Sequence, residues 1–323
     1  MIRIGSRGSQ LARWQALHIA ARLQQVGCPS SIEIITTTGD RIQNAPFTQV
    51  GTKGMFTKEI EEALSAGRID LAVHSMKDLP TELLPEFCIA AVPQRADARD
   101  AFISVQHDNL RDVPTKSTIG TSSLRRQAQV RVLRPDVRVH ELRGNVDTRL
   151  RKLVSGQYDA IILAAAGLER LGYTQHLRGH FEVEEMCPAA AQGALAIECR
   201  SDDQQTQKIL SALHHAPTGF AVAVERAVLA QLGGGCHLPV GVYCEPQDAA
   251  HWKITAIVAR PNGTAILREQ RTESTTELSD AAAQSLGDSV AQSLLAQGAG
   301  GVLAAMALAA GNEETDNGDK AGA

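Results

Sequence analysis

Three stretches of this chain gather residue types that can do chemistry. In Leu71-Ala72-Val73-His74-Ser75-Met76-Lys77-Asp78-Leu79-Pro80 an apolar run ends in a charged pair and a proline, as a buried strand does on leaving a sheet. Open parallel sheets bind ligands beyond the carboxyl ends of their strands, so Asp78 stands where a general acid or base would. The competing reading makes Asp78 a turn former and leaves Lys77 solvated. Between Thr121 and Arg151 there are eight arginines against three acids. Arg131, Arg134 and Arg138 read as a solvated helix face. Arg125, Arg126, Arg143 and Arg149 lie near helix starts that follow strand ends, where backbone N–H groups also favour anions. Guanidinium holds carboxylates bidentately, so these four suit a ligand with several carboxylates or phosphates. The third stretch is Gly233-Gly234-Gly235-Cys236-His237-Leu238-Pro239, whose glycines leave the Cys236 thiol accessible.

Composition narrows what such groups can serve. At 323 residues the chain exceeds a single ordinary core, so two or three domains are expected. Aromatic residues make up only 3%, so the cores must be built from Ala, Leu, Val and Ile. A formal charge of −4 excludes a globally basic nucleic-acid binder, though not a local basic site. No apolar run reaches the roughly 18 residues of a membrane span. Arg13, Gln15 and His18 interrupt any signal-peptide apolar region, so the cytoplasm is expected. The six cysteines include no Cys-x-x-Cys pair and no zinc spacing, so reduced thiols are expected and no metal. There is no complete phosphate-binding loop; Lys53 in Gly-Thr-Lys-Gly resembles only a fragment of one. The His214-His215 pair reads as surface.

The elements that must position these groups alternate as strand, loop and helix, the pattern of a parallel sheet with helices packed on it. Residues 1–5 form a short strand ending at Arg7, and Ser9 caps a helix carrying Leu11, Trp14, Leu17 and Ala21. Further strands are expected at 32–37, 101–105, 118–120, 137–142 and 159–166, with a helix at 59–66 closed by Gly67. Residues 194–198 can rejoin the first sheet. Near the end, a hairpin turns at Pro261-Asn262-Gly263 and a helix covers 278–297. The fold class is α/β: two α/β domains around a cleft, plus a small C-terminal α+β domain. Domain 1 takes residues 1–93 and 194–212, domain 2 takes 94–193, and domain 3 takes 213–310. Residues 311–323 read as a disordered tail.

Val73 to Pro80, Gly120-Thr121-Ser122-Ser123-Leu124-Arg125-Arg126-Gln127, Arg143-Gly144-Asn145-Val146 with Thr148-Arg149-Leu150, and Gly234-Gly235-Cys236 together resemble the hydroxymethylbilane synthase (porphobilinogen deaminase) family. The resemblance runs in order from Ile4 to about Ala305. Asp147 occupies a variable position, and Ala191 stands where the family often has glycine. The tail lies outside it. The resemblance implies two domains like type II periplasmic binding proteins and a third small one. It implies a transferase of haem biosynthesis that condenses four porphobilinogen molecules, releasing ammonia each time, to give the linear tetrapyrrole hydroxymethylbilane. It also implies a covalent dipyrromethane primer, joined by a thioether to Cys236, with Asp78 as the catalytic carboxylate. Lys77, Ser123, Arg125, Arg126 and Arg143 would hold the cofactor; Arg7, Ser9, Lys53, Arg149 and Arg170 would hold substrate. A monomer is expected, with no nucleic-acid or membrane partner.

The residues agree with that implication on chemical grounds. Each pyrrole carries two carboxylates, so a growing chain needs several arginines. Loss of ammonia needs a proton donor and leaves a cation, and one carboxyl group can serve both steps. Two other readings compete. A binding module for small polycarboxylates would use the same cleft without a covalent primer. An RNA binder would show steep salt dependence, but it would lack aromatics for base stacking.

Overall fold

A computed structural model describes residues 1–41, 57–234 and 238–306. Strand β1 (Ile2–Ser6) leads into helix α1 (Gln10–Gln25), then β2 (Ser30–Ile34) and the short α2 (Thr38–Arg41). Ser9 caps α1 as expected, its Oγ accepting from the Ala12 N–H at 3.3 Å. On α1, Ala12, Ala16, Ile19 and Leu23 recur at helical spacing and are buried, which packs the helix on the sheet. Helix α3 (Lys58–Ser65) follows, then β3 (Leu71–Ser75) and β4 (Phe87–Ala91). Gly67 takes a φ of +64°, the left-handed stop expected after α3.

The chain then crosses to a second sheet. It comprises β5 (Asp100–Ile103), β6 (Thr118–Gly120), β7 (Arg138–His140), β8 (Ala160–Ala164) and β9 (Leu177–His180), in the order β7-β6-β8-β5-β9. Helices α4 (Leu124–Leu133), α5 (Val146–Val154) and α6 (Ala165–Leu171) join these strands. In β8 the run Ala-Ile-Ile-Leu is buried throughout, as a strand covered on both faces must be. Strand β10 (Leu195–Arg200) returns to the first sheet and completes the order β2-β1-β3-β10-β4. It lies antiparallel to β3, with Leu195 opposite Ser75 and Cys199 opposite Leu71. The return of 194–198 to the first sheet is thus observed.

After α7 (Gln204–Leu210) and α8 (Ala216–Gln231), strands β11 (Val240–Pro246), β12 (His251–Ala259) and β13 (Ile266–Ser274) form an antiparallel sheet. Helix α9 (Asp280–Ala296) packs on it, and Val224, Val228, Ile254, Ala256, Val290 and Leu294 share one core. Gly263 at φ +76° makes the expected hairpin turn.

The structure corrects the expectation of parallel sheets. Both larger sheets are mixed: β10 runs against β3 and β4, and β5 runs against β8 and β9. Strands β4, β9 and β11 were not anticipated; β4 and β9 are short, and both lie at sheet edges where hydrophobic patterning is weakest. Between the two larger sheets the chain passes twice, near Ala96 and near Gly193. The Ala96 N–H donates to the Gly193 carbonyl at 3.3 Å, and a side chain at Gly193 would meet the Ala96 carbonyl at 2.7 Å.

Candidate active site

Asp78 ends a single 3-10 turn, Met76–Asp78, at the carboxyl end of β3, and its side chain is exposed. One buried and one partly buried polar contact fix that strand end. His74 Nε2 lies 2.8 Å from Glu198 Oε2 on β10, and Gln15 Nε2 on α1 donates to Ser75 Oγ at 2.8 Å. His74 and Ser75 therefore serve packing and hydrogen bonding. The Met76 N–H donates to the Ala194 carbonyl at 3.0 Å, so the turn rests on the second crossing segment.

Lys77 is half-buried, with Nζ 3.4 Å from Gln192 Oε1. Burial pushes its ammonium down to about 8; Asp78 opposes that, and Arg126 adds to it. Arg149, near the start of α5, is half-buried and donates from Nε to the Gly144 carbonyl at 2.7 Å. Burial, with Arg126 beside it, pushes Arg149 down to about 10, while the charge of Asp78 pulls it up. Asp78, Lys77, Arg126 and Arg149 thus share one electrostatic neighbourhood. Arg170 reaches the Gly193 carbonyl from Nη2 at 2.7 Å and lies over the Trp14 ring at 5.8 Å, bridging α6 and α1. Burial holds it down to about 10 as well.

Arg125 and Arg126 point inward. Both reach Asp100, which is fully buried: Arg125 Nη1 at 2.7 Å, and Arg126 through Nε at 3.0 Å and Nη2 at 2.8 Å. Arg125 Nη1 also donates to the Cys187 carbonyl at 2.6 Å, while its Nε has no partner among the described residues. Burial alone would raise the Asp100 carboxyl, but the two guanidinium groups outweigh it and hold the carboxyl well below its usual range. Two buried cations on one buried anion leave a positive surplus that acts on Lys77 and Arg149. Ser123 caps α4 by accepting from the Arg126 N–H at 3.5 Å, so it fixes the start of that helix. Arg143 pairs with Glu141, Nη2 to Oε1 at 2.5 Å, at the partly exposed edge before α5. Arg7 is half-buried at the end of β1, where its carbonyl accepts from Ser6 Oγ at 3.1 Å.

Lys53 and Cys236 lie outside the described residues, as do residues 311–323. Two of the arginines expected on a solvated face are structural instead. Arg134 donates to the carbonyls of Leu110 and Val113 and pairs with Asp136; Arg131 donates to the Pro261 carbonyl on the β12–β13 turn. Arg138 is exposed. His214 and His215 both engage Val92, and His215 also caps α8. Among the described residues one trio, Asp97, Glu169 and His180, brings three ligand-type atoms within 4.8 Å, but Asp97 is already bonded to Arg99.

Four residues that shape the site were not singled out from sequence: Asp100, Gln192, Glu225 and Arg226. Gln192 accepts from Lys77 and Arg126 and donates to the Ala98 carbonyl and to Asp100. Glu225, fully buried on α8, takes Arg95 bidentately at 2.6 and 2.9 Å and accepts from the Ala191 and Cys244 N–H groups. A signal existed for this pair. In Ala221-Val222-Ala223-Val224-Glu225-Arg226-Ala227-Val228 two charges interrupt an otherwise apolar helix, and charge in a core demands partners.

Fold and site define a mixed α/β protein that gathers one exposed carboxyl and several half-buried cations. Residues 2–208 match the family model described as porphobilinogen deaminase, dipyromethane cofactor binding domain, and residues 220–296 match the porphobilinogen deaminase C-terminal domain. The chain is 46% identical over 303 residues to a porphobilinogen deaminase of Shouchella clausii, covering 93% of this chain and 95% of that one. A porphobilinogen deaminase of Ralstonia nicotianae is 47% identical over 305 residues, covering 94% of this chain and 91% of that one. Among solved structures, a lipoprotein of Bacillus subtilis overlaps 66% of this chain and 90% of its own, at 12% identity and a TM-score of 0.41. The chain belongs to the porphobilinogen deaminase family.

Proposed function

We propose that this chain, as a porphobilinogen deaminase and hence a hydroxymethylbilane synthase, carries its chemistry on Asp78. The observation that supports this most directly is the neighbourhood of that carboxyl: exposed at a strand end, electrostatically coupled to Lys77 and Arg149, and flanked by the Arg125–Arg126–Asp100 cluster. The enzyme is a transferase that joins four porphobilinogen molecules head to tail and releases the linear product by hydrolysis.

The donor set fits a dipyrromethane cofactor. Arg149 and Arg170 give their described hydrogen bonds to carbonyl oxygens rather than carboxylates, and Lys77 gives its own to an amide. Ligand carboxylates would relieve this surplus of half-buried positive charge. When bound, the cofactor supplies the growing end to which each substrate is joined, and we assign its thioether anchor to Cys236. Lys77, Ser123, Arg125, Arg126 and Arg143 are assigned to the cofactor side, with Arg125 and Arg126 acting through their field and their inward bonds to Asp100. Arg7, Ser9, Lys53, Arg149 and Arg170 are assigned to incoming substrate.

In each addition the Asp78 carboxyl gives its proton to the substrate's aminomethyl nitrogen as the C–N bond breaks and ammonia leaves. The carboxylate left behind faces the cationic carbon and stabilises it. The domain division at 1–93 with 194–212, 94–193 and 213–310 is part of the same proposal. So are a monomeric state, a cytoplasmic setting and the absence of a nucleic-acid partner. No helix among the described residues is long and apolar enough to cross a membrane. Intact mass of the purified protein tests the anchor: the expected mass exceeds that of the polypeptide by one dipyrromethane, and Cys236→Ser loses the increment. An unmodified mass in folded, active protein would overturn the assignment and leave a carboxylate-binding module.

A further inference from the structure

Met76 and Leu79, on either side of the exposed Asp78, are buried in one small core cluster, but Pro80 and Thr81 beyond them are only half-buried. The carbonyls of Leu79, Pro80 and Thr81 lie beyond the end of β3, where no sheet partner satisfies them. All three are met by one side chain from another layer. Arg226, on α8, donates from Nη1 to the Leu79 carbonyl at 3.5 Å and from Nη2 to the Pro80 and Thr81 carbonyls at 2.6 and 3.0 Å. Arg226 is half-buried, and burial alone holds it down to about 10, with no acid acting on it. Such a cation is unfavourable to keep unless its fork of donors is matched, and here the match is three successive carbonyls of one loop.

The same helix leads toward the glycine stretch. Gly233 and Gly234 follow α8 with φ of +105° and +70°, and a side chain at Gly234 would meet Thr81 Oγ1 at 2.9 Å. The backbone two residues before Cys236 in sequence therefore runs against the loop that Arg226 grips. We propose that Arg226 is a positioning residue, which ties the Asp78 loop to α8 so that the carboxyl stays fixed relative to that helix and the two glycines that follow it. This deepens, and rests on, the assignment of Asp78 as the proton donor.

Arg226→Met should lower kcat roughly tenfold to a hundredfold, since misplacing a catalytic group by about 1 Å has effects of that size, while KM changes little. Arg226→Lys, which keeps the charge but loses the fork, should recover part of kcat; it also serves if the Met variant does not fold. Amide exchange at Leu79, whose N–H donates to the Met76 carbonyl, should quicken in Arg226→Met. Combined with Asp78→Glu, the Met substitution should add no more than about twofold to the loss from Asp78→Glu alone, because both act on one carboxyl. A kcat within twofold of wild type, losses that multiply in the double variant, or a rise in KM alone would each overturn the proposal. The assignment beneath it fails separately: wild-type turnover in Asp78→Asn would remove Asp78 itself, whereas an inactive Asp78→Asn beside a normal Arg226→Met overturns only the positioning role.

Discussion

Asp100 receives Arg126 through Nε and Nη2 on a single carboxylate oxygen, at 3.0 and 2.8 Å, with neither residue more than 6% exposed. With Arg125 on its other oxygen, Asp100 is an internal counter-ion to a pair of buried cations. Asp100→Asn presents an amide N–H to guanidinium donors and leaves two buried charges unmatched. Removing one partner of a buried pair costs about 3–5 kcal/mol, so urea midpoints should fall accordingly.

The same carboxyl sets an acid limit. Its folded value lies below its unfolded one, so its contribution is present above about pH 4 and is lost as pH falls through that value toward the folded pKa. Wild-type stability should therefore decline below about pH 4, and the decline should be shallower in Asp100→Asn. Equal slopes in the two proteins would remove Asp100 from the acid response.

Lys77 adds a second window of the same sign on the alkaline side. Its ammonium is held down to about 8 in the folded protein, against about 10.5 unfolded, so the unfolded chain binds its proton more tightly between those values. Stability of the cofactor-free protein should rise with pH across that window, and Lys77→Met should abolish the rise. The same variant should load less cofactor, read as the modified fraction by intact mass.

Asp78→Asn should keep the fold, because the side chain is exposed, and should lose turnover by about 100-fold to 10,000-fold, the usual contribution of a positioned acid or base. Melting temperature and kcat measured on one preparation check both halves of the claim.

Backbone conformation gives a prediction free of the site. Lys116 is exposed at φ +68°, a left-handed setting that costs a residue with a Cβ about 1–2 kcal/mol, so Lys116→Gly should stabilise by roughly 1 kcal/mol without changing activity. Ala191, where the family often has glycine, sits at φ +59°. Its methyl is buried, so the same exchange there removes packing along with strain and should gain less.

Much of this was legible in the chain. Ser9 and Gly67 announced their helix ends, the hairpin turn announced itself at Gly263, and the apolar run ending at Asp78 located the site loop. What local pattern could not supply was pairing across sequence distance. Arg125 and Arg126 read as carboxylate holders, and nothing nearby in sequence showed that Asp100, some 25 residues upstream, would bind both. Arg134 read as solvated because its carbonyl partners lie in an irregular segment, which carries no periodicity. The anticipated parallel order failed at β10 for a related reason. Strand direction is set by where the chain re-enters a sheet, and hydrophobic alternation is blind to it.

That re-entry has a consequence for how the protein is made. Strand β3 has β10 as its neighbour, and β10 is synthesised more than a hundred residues after it. Until the ribosome has delivered residue 200, the strand that carries Asp78 presents an open edge, and the His74–Glu198 contact does not exist. The second sheet, whose strands all fall between residues 100 and 180, can close first. Birth order thus runs opposite to numbering: the lobe begun first is finished second, and the loop that bears the reactive carboxyl is set only when both crossings are complete.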